Sequence, residues 1–193
     1  MASFSIHLAV AKRHIEKHKT NNEIDIYKGV IDPDLVDDKN ISHYTKRDEI
    51  DTLYESQKFS AGLYDFLKIN SIETDYNRGL FIHLITDYLF FNIFLDKDYM
   101  SSAKYENFSK DLYYSYDISN KYLEEKYNIS SIFRNIELKL HEEKIKEDYK
   151  PMNLEYKLII DENKIYEFIE YVSDINLEKY RDKILENKCN VLP

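Results

Sequence analysis

The segment LFIHLITDYLFFNIFL, Leu80 to Leu95, is apolar on almost every side. A helix of that kind is buried all round, so the rest of the chain has to wrap it. The run is too short to span a bilayer, which takes about 18 consecutive apolar residues, and Asp87 lies in its middle. Yet four polar residues interrupt it: His83, Thr86, Asp87 and Asn92. On a helix, positions i, i+3 and i+4 share a face, so His83, Thr86 and Asp87 project together. A lone ionised carboxylate is very costly to bury, so Asp87 requires a partner or a proton. Three readings are open. The pair is a satisfied polar spot, an acid/base pair, or two ligands to one metal ion, since HxxxD on a helix lets both heads converge.

The chain around this segment reads as all-α. Only 3 Gly and 3 Pro punctuate 193 residues, and long periodic stretches separate them. Helices are expected at about 5–19, 47–57, 59–69, 76–95, 106–127 and 129–146. The segment 20–40, with its IDPDLVDDKN, reads as irregular, because Pro33 disfavours a helical Asp32. EYKLIID, Glu155 to Asp161, reads as a short strand or the lead-in to a helix. Asp161 and Asn176 are the expected caps of two final helices. The reading is a single multi-helix domain over 1–193, wrapped on a central helix at 76–95. The only plausible seam is 146–151, ahead of a C-terminal helical part.

Net charge is 27 − 36 = −9, which argues against a surface built to hold nucleic acid by its phosphates. The amino-terminal MASFSIHLAVAKRHIEKH lacks the pattern of a secretory signal. The single cysteine, Cys189, can form no internal disulfide. Together these point to a cytoplasmic protein.

The remaining histidines sharpen the choice among the three readings. His7 sits among Ile6, Leu8, Ala9 and Val10 and should turn inward. His14 and His18 sit among Lys12, Arg13, Glu16 and Lys17 and should face water. His43, in NISHYT, follows a turn holding Asp32, Asp34, Asp37 and Asp38. Acidic turns are commonly just solvated turns. An acidic turn, then a histidine, then a buried HxxxD is a better pattern for a divalent metal.

In order along the chain stand SIHLA, GVIDPD, KNISHY and YNRGLFIHLITDYLF. That order and spacing resemble the zinc-dependent phospholipase C family and, more distantly, the S1/P1 nucleases. The likeness is closer to small bacterial relatives without a signal peptide, and it covers about the first half of the chain. It implies an all-helical fold holding zinc and hydrolysing phosphodiesters. The implied metal ligands are His7, Asp34, His43, His83 and Asp87, with Asp87 able to bridge two ions. Asp32 or Asp38 would substitute for Asp34 if the turn were shifted, or orient the attacking water. Past Asp87 the likeness lapses. His141 is the one histidine left, with Ile145 at +4 and Glu137 at −4, so one or two zinc ions are expected, not a fuller cluster.

The function so implied is a metal-dependent hydrolase acting on a phosphodiester or phospholipid-like small substrate. From another class comes a non-catalytic helical binding or regulatory protein, with a structural or vestigial metal site.

Overall fold

The computed structural model describes residues 2–45, 62–102, 105–135 and 156–193. Every regular element among them is helical, as the scarcity of breakers implies. The elements are α1 (Phe4–Lys17), α2 (Glu23–Leu35), a short α3 (Lys39–Ser42), α4 (Leu63–Ile69) and α5 (Asp75–Leu89). A π-helical turn, Phe90–Phe94, continues α5. Then follow α6 (Lys97–Ser102), α7 (Tyr105–Tyr127), α8 (Ile129–Asn135), α9 (Glu162–Ser173) and α10 (Leu177–Asn187). No described helix is long and apolar enough to cross a membrane. The expected helix at 47–57, His141 and the seam at 146–151 lie outside the described residues.

The central helix is buried as its sequence demands. From Phe81 to Leu89 every residue of α5 is buried. Thr74 caps its start, accepting from Asn77 N at 3.2 Å. Two of its polar side chains are satisfied within the helix. Thr86 Oγ1 donates to Ile82 O at 2.7 Å. Asn92 Nδ2 donates to Tyr88 O at 2.7 Å, where the ladder widens and Leu95 N reaches back to Phe90 O at 3.0 Å. His83 and Asp87 are left to find partners outside their own helix.

The segment 20–40 corrects the irregular reading. It holds α2, capped by Asn22, whose side chain accepts from Ile24 N and Asp25 N, with Glu23 and Asp25 favourably placed in the first turn. Pro33 sits inside the helix. It forfeits one hydrogen bond, to Gly29 O, only two residues before the helix ends. Burial of Ile26, Val30, Ile31 and Pro33 outweighs that loss and the reluctance of Asp32 to be helical.

Helices α2 and α5 cross in unusually close approach at two glycines. A Cβ on Gly29 would clash with Tyr76 O and come within 2.9 Å of Leu80 N. A Cβ on Gly79 would clash with Ile26 O and come within 3.0 Å of Gly29 Cα. Only residues without a side chain let the two backbones meet there.

Helix α1 lies against α2, α5, α7, α8 and α9. Arg13 and Lys17 bridge to Glu170 on α9, with Arg13 Nε to Glu170 Oε1 at 2.6 Å and Lys17 Nζ to Glu170 Oε2 at 2.8 Å. The two expected caps are present: Asp161 accepts from Lys164 N and Asn176 from Lys179 N, both at 2.9 Å. Ahead of α9, residues 156–161 form no strand. Side chains of α7 hold this lead-in, with Lys157 N donating to Asp111 Oδ1 at 2.8 Å and Ile159 N to Ser115 Oγ at 2.9 Å.

Candidate metal centre

The glycine crossing fixes what faces what. One turn beyond Gly79, His83 meets the α2 backbone just past Gly29. Its Nδ1 donates to Val30 O at 2.7 Å. That bond settles the tautomer and leaves the Nε2 lone pair facing His43 Nε2. His7 comes from the first turns of α1, whose start is capped by Ser3. Its ring stacks on His83, centroids 3.9 Å apart. His43 follows α3, where Asp38 caps the start. The left-handed turn at Tyr44, φ 55°, carries the chain away from it, and Gly62 N donates to His43 O at 2.8 Å. His43 Nδ1 lies 2.9 Å from Ser42 Oγ. Asp34 sits in the last turn of α2.

Five side chains from four segments therefore converge. His7 Nε2 lies 3.4 Å from Asp87 Oδ1 and 3.8 Å from Asp34 Oδ2. His43 Nε2 lies 3.3 Å from Asp87 Oδ2 and 3.6 Å from Asp34 Oδ1. His83 Nε2 lies 3.7 Å from Asp87 Oδ2 and 3.0 Å from His43 Nε2. All five side chains are at most 5% exposed. Asp87 Oδ1 also accepts from the buried Ala2 N at 2.6 Å.

The satisfied-polar-spot reading fits this poorly. His7 Nδ1 and Nε2, Asp34 Oδ1 and Asp87 Oδ2 are buried with no hydrogen-bond partner, and such orphaned atoms are rare and costly. Two ligands bound at about 2.1 Å to one tetrahedral ion stand about 3.4 Å apart. The separations here, 3.0–3.8 Å, bracket that value. His7, His83 and Asp87 form one group with ligand atoms within 4.8 Å of one another, and Asp34, His43 and His83 form another. These groupings could hold a metal ion, and their donors are not specific to zinc.

Burial and charge push the titrations apart. Burial pushes the Asp34 carboxyl above the usual range, assisted by the neighbouring Asp87 and opposed by His7 and His43. Burial also pushes Asp87 up, but neighbouring positive charge and the His43 and His7 imidazoles pull it well below that range. Burial, then repulsion from His7, pushes His83 well below an ordinary histidine. A neutral imidazole beside an ionised carboxylate is the state in which both act as ligands.

Two other residues named from the sequence lie elsewhere. Asp32 stands two residues before Asp34 on α2, about 200° round the helix, and accepts from Tyr76 Oη at 2.7 Å on the exposed side. Asp38 is exposed and accepts from Asn40 N at 3.0 Å as a helix cap. Neither joins the cluster. Arg78 donates to Ile72 O at 3.0 Å and pairs with Glu178 at 2.9 Å, away from the ligands. His14 corrects another expectation. It is buried, not water-facing, because α1 is enclosed by α2 and α9 and His14 continues the inward face of His7 one heptad on. It stacks on His18 at 4.2 Å. Sequence reasoning passed over Ser42, Val30 O and Ala2 N. Only Ser42 left a side-chain signal, as the residue before the histidine.

Comparison of the chain with protein-family models, curated proteins and solved structures found no match to any of them.

Proposed function

We propose that the protein is a metal-dependent hydrolase of phosphoric diesters, similar to phospholipase C, that uses zinc. The observation that carries this reading is the convergence of three imidazoles and two carboxylates in a buried cluster in which both His7 ring nitrogens, Asp34 Oδ1 and Asp87 Oδ2 have no hydrogen-bond partner. The ordered likeness of SIHLA, GVIDPD, KNISHY and YNRGLFIHLITDYLF to that family supports the reaction class and fold. His7, Asp34, His43, His83 and Asp87 would hold the metal. When bound, a divalent ion supplies acidity to a water and offsets charge on a phosphoryl oxygen. The chain's own part is to present His83 as a neutral imidazole, fixed by Val30 O, beside an ionised Asp87, with His43 held by Ser42 Oγ.

The test is hydrolysis of bis(p-nitrophenyl) phosphate by zinc-loaded protein. The reading expects turnover that is lost on chelation and restored by zinc, and lost in Asp87→Ala. Metal-loaded protein inert towards this diester and towards phospholipid would refute hydrolysis. The burial of all five ligand side chains, at most 5% exposed, favours a second reading. Structural zinc sites are closed, whereas catalytic ones keep an open position. Under that reading the protein is a helical binding or regulatory module, stabilised by metal and catalytically silent.

A further inference from the structure

The chain carries a net charge of −9, yet one cavity collects positive charge. It measures about 180 Å³ and lies where the end of α1 meets α5 and the start of α10. His14 and His18 line it from α1, Lys19 and Thr20 from the turn beyond, Arg78 from α5 and Glu178 from α10. Ile26 and Leu177 add apolar lining, which strengthens electrostatic interactions there. His14 stacks on His18 with ring centroids 4.2 Å apart. His18 Nε2 donates to Ser173 O at 3.0 Å, and the carboxyl-terminal end of α1 favours a cation at His18. Burial, then repulsion from His18, Arg78 and Lys17, lowers the pKa of His14. Positive groups crowd this cavity, and their mutual repulsion is what a bound anion relieves.

One carboxylate already answers that field. Arg78 Nη2 donates to Glu178 Oε1 at 2.9 Å. The guanidinium is anchored, with Nε donating to Ile72 O at 3.0 Å and Nη1 lying 3.7 Å from Asp75 Oδ1. Glu178 is 50% exposed, so its carboxylate can swing into water and leave Arg78 in place. It stands in the first turn of α10, and the amino-terminal end of a helix attracts negative charge. We propose that this cavity binds a phosphate dianion, free or as a monoester, which displaces Glu178 from Arg78. Arg78 and Lys19 supply charge, and His18 and the Thr20 hydroxyl supply further donors. Donors converging from three segments suit a tetrahedral oxyanion better than the planar carboxylate it replaces, and its second negative charge outcompetes Glu178. The site is separate from the metal centre, since His14 stands seven residues beyond His7, about 10 Å along α1.

Inorganic phosphate is the probe, titrated into the full chain and read by nitrogen-15 NMR of the six histidine rings. The expected result is a saturable shift of His14 and His18, with a Kd at or below about 1 mM. Lys19→Ala, an exposed position, should weaken binding by about 2–5-fold, and Glu178→Gln should tighten it by a similar factor. Glu186→Gln makes the same charge change on an exposed face further along α10 and should leave the affinity as it is. Glycerol 3-phosphate titrated in parallel tells the two sources apart: a monoester bound as tightly as phosphate or more so marks an esterified ligand, and a weaker one marks the free ion. A chain in which neither His14 nor His18 responds saturably to either compound would overturn the site. So would a response confined to His7, His43 and His83, which would put the anion at the metal centre. Glu186→Gln acting as strongly as Glu178→Gln would reduce the effect to overall charge and overturn it too.

Discussion

Replacing Gly79 with alanine tests the helix crossing on which the centre depends. The added methyl would stand 3.0 Å from Gly29 Cα and from Ile26 C, and nearer still to Ile26 O. These are backbone atoms of α2, so no side chain can swing aside to relieve the contact. The helices must separate by several tenths of an ångström or more. Overpacking of this kind costs about 1–3 kcal/mol. Against it stands the gain of about 1 kcal/mol from replacing glycine by alanine within a helix. The net expectation is a loss of up to about 2 kcal/mol. For a chain of this size that lowers Tm by up to about 8 °C, at about 2–4 °C per kcal/mol. The separation also acts on the site. His83 lies one turn beyond Gly79, and its 2.7 Å bond to Val30 O spans the same crossing. Disturbing such a ligand-orienting bond typically weakens metal binding by about 10–100-fold. Calorimetric Tm and a competitive zinc titration on Gly79→Ala read both effects. A variant at least as stable as the parent, with undiminished zinc affinity, would refute the claim that this contact builds the centre.

Acid should destabilise the fold partly through His14. Burial, then repulsion from His18, lowers its pKa from 6.5 to about 4. The depressed value means the unfolded chain binds the proton more readily, so stability is full above pH 6.5 and falls as the pH drops towards 4. Between pH 7 and 5 this amounts to about 2 kcal/mol, and urea unfolding should show that part of the pH dependence absent in His14→Gln. Asp161→Ala removes the cap of α9 and should cost about 1 kcal/mol, read as a lower urea midpoint with an unchanged slope. Asp32→Ala and Asp38→Ala should leave metal stoichiometry as it is, since their side chains serve Tyr76 and the start of α3; loss of metal in either would contradict the placement of the cluster. Glu170→Gln breaks a half-exposed network with Arg13 and Lys17 and should cost under about 1 kcal/mol, less at high salt.

The candidate site was legible because its members are polar residues in apolar surroundings. His7 among Ile6, Leu8, Ala9 and Val10, and His83 with Asp87 in a wholly apolar run, stand out against a helix that must be buried. The same logic misplaces His14, whose charged neighbours Arg13 and Lys17 reach out to Glu170 while its own ring turns in. The acidic stretch was harder to read. Treated as a turn, it makes Asp32, Asp34 and Asp38 near-equivalent. Folded as α2 through Pro33, it sends Asp34 inward and Asp32 outward, a distinction that only helical geometry creates. Pro33 is a poor guide there because its penalty falls on a single bond at the helix end. The backbone contributions left no side-chain trace: Val30 O, Ala2 N and the meeting of Gly29 with Gly79 depend on which helices cross, and crossing is a tertiary property.

The most direct test of the account is metal content by mass spectrometry on protein purified without added metal or a histidine tag. His83→Ala and Asp87→Ala are measured beside the unaltered chain, with circular dichroism to show that each is folded. The account predicts one or two equivalents of a divalent ion in the unaltered protein, regained after chelation by adding zinc, and a loss in both variants. Folded, unaltered protein that takes up no metal even from excess zinc would contradict it, and would leave the cluster of His7, Asp34, His43, His83 and Asp87 as a buried polar knot without chemistry.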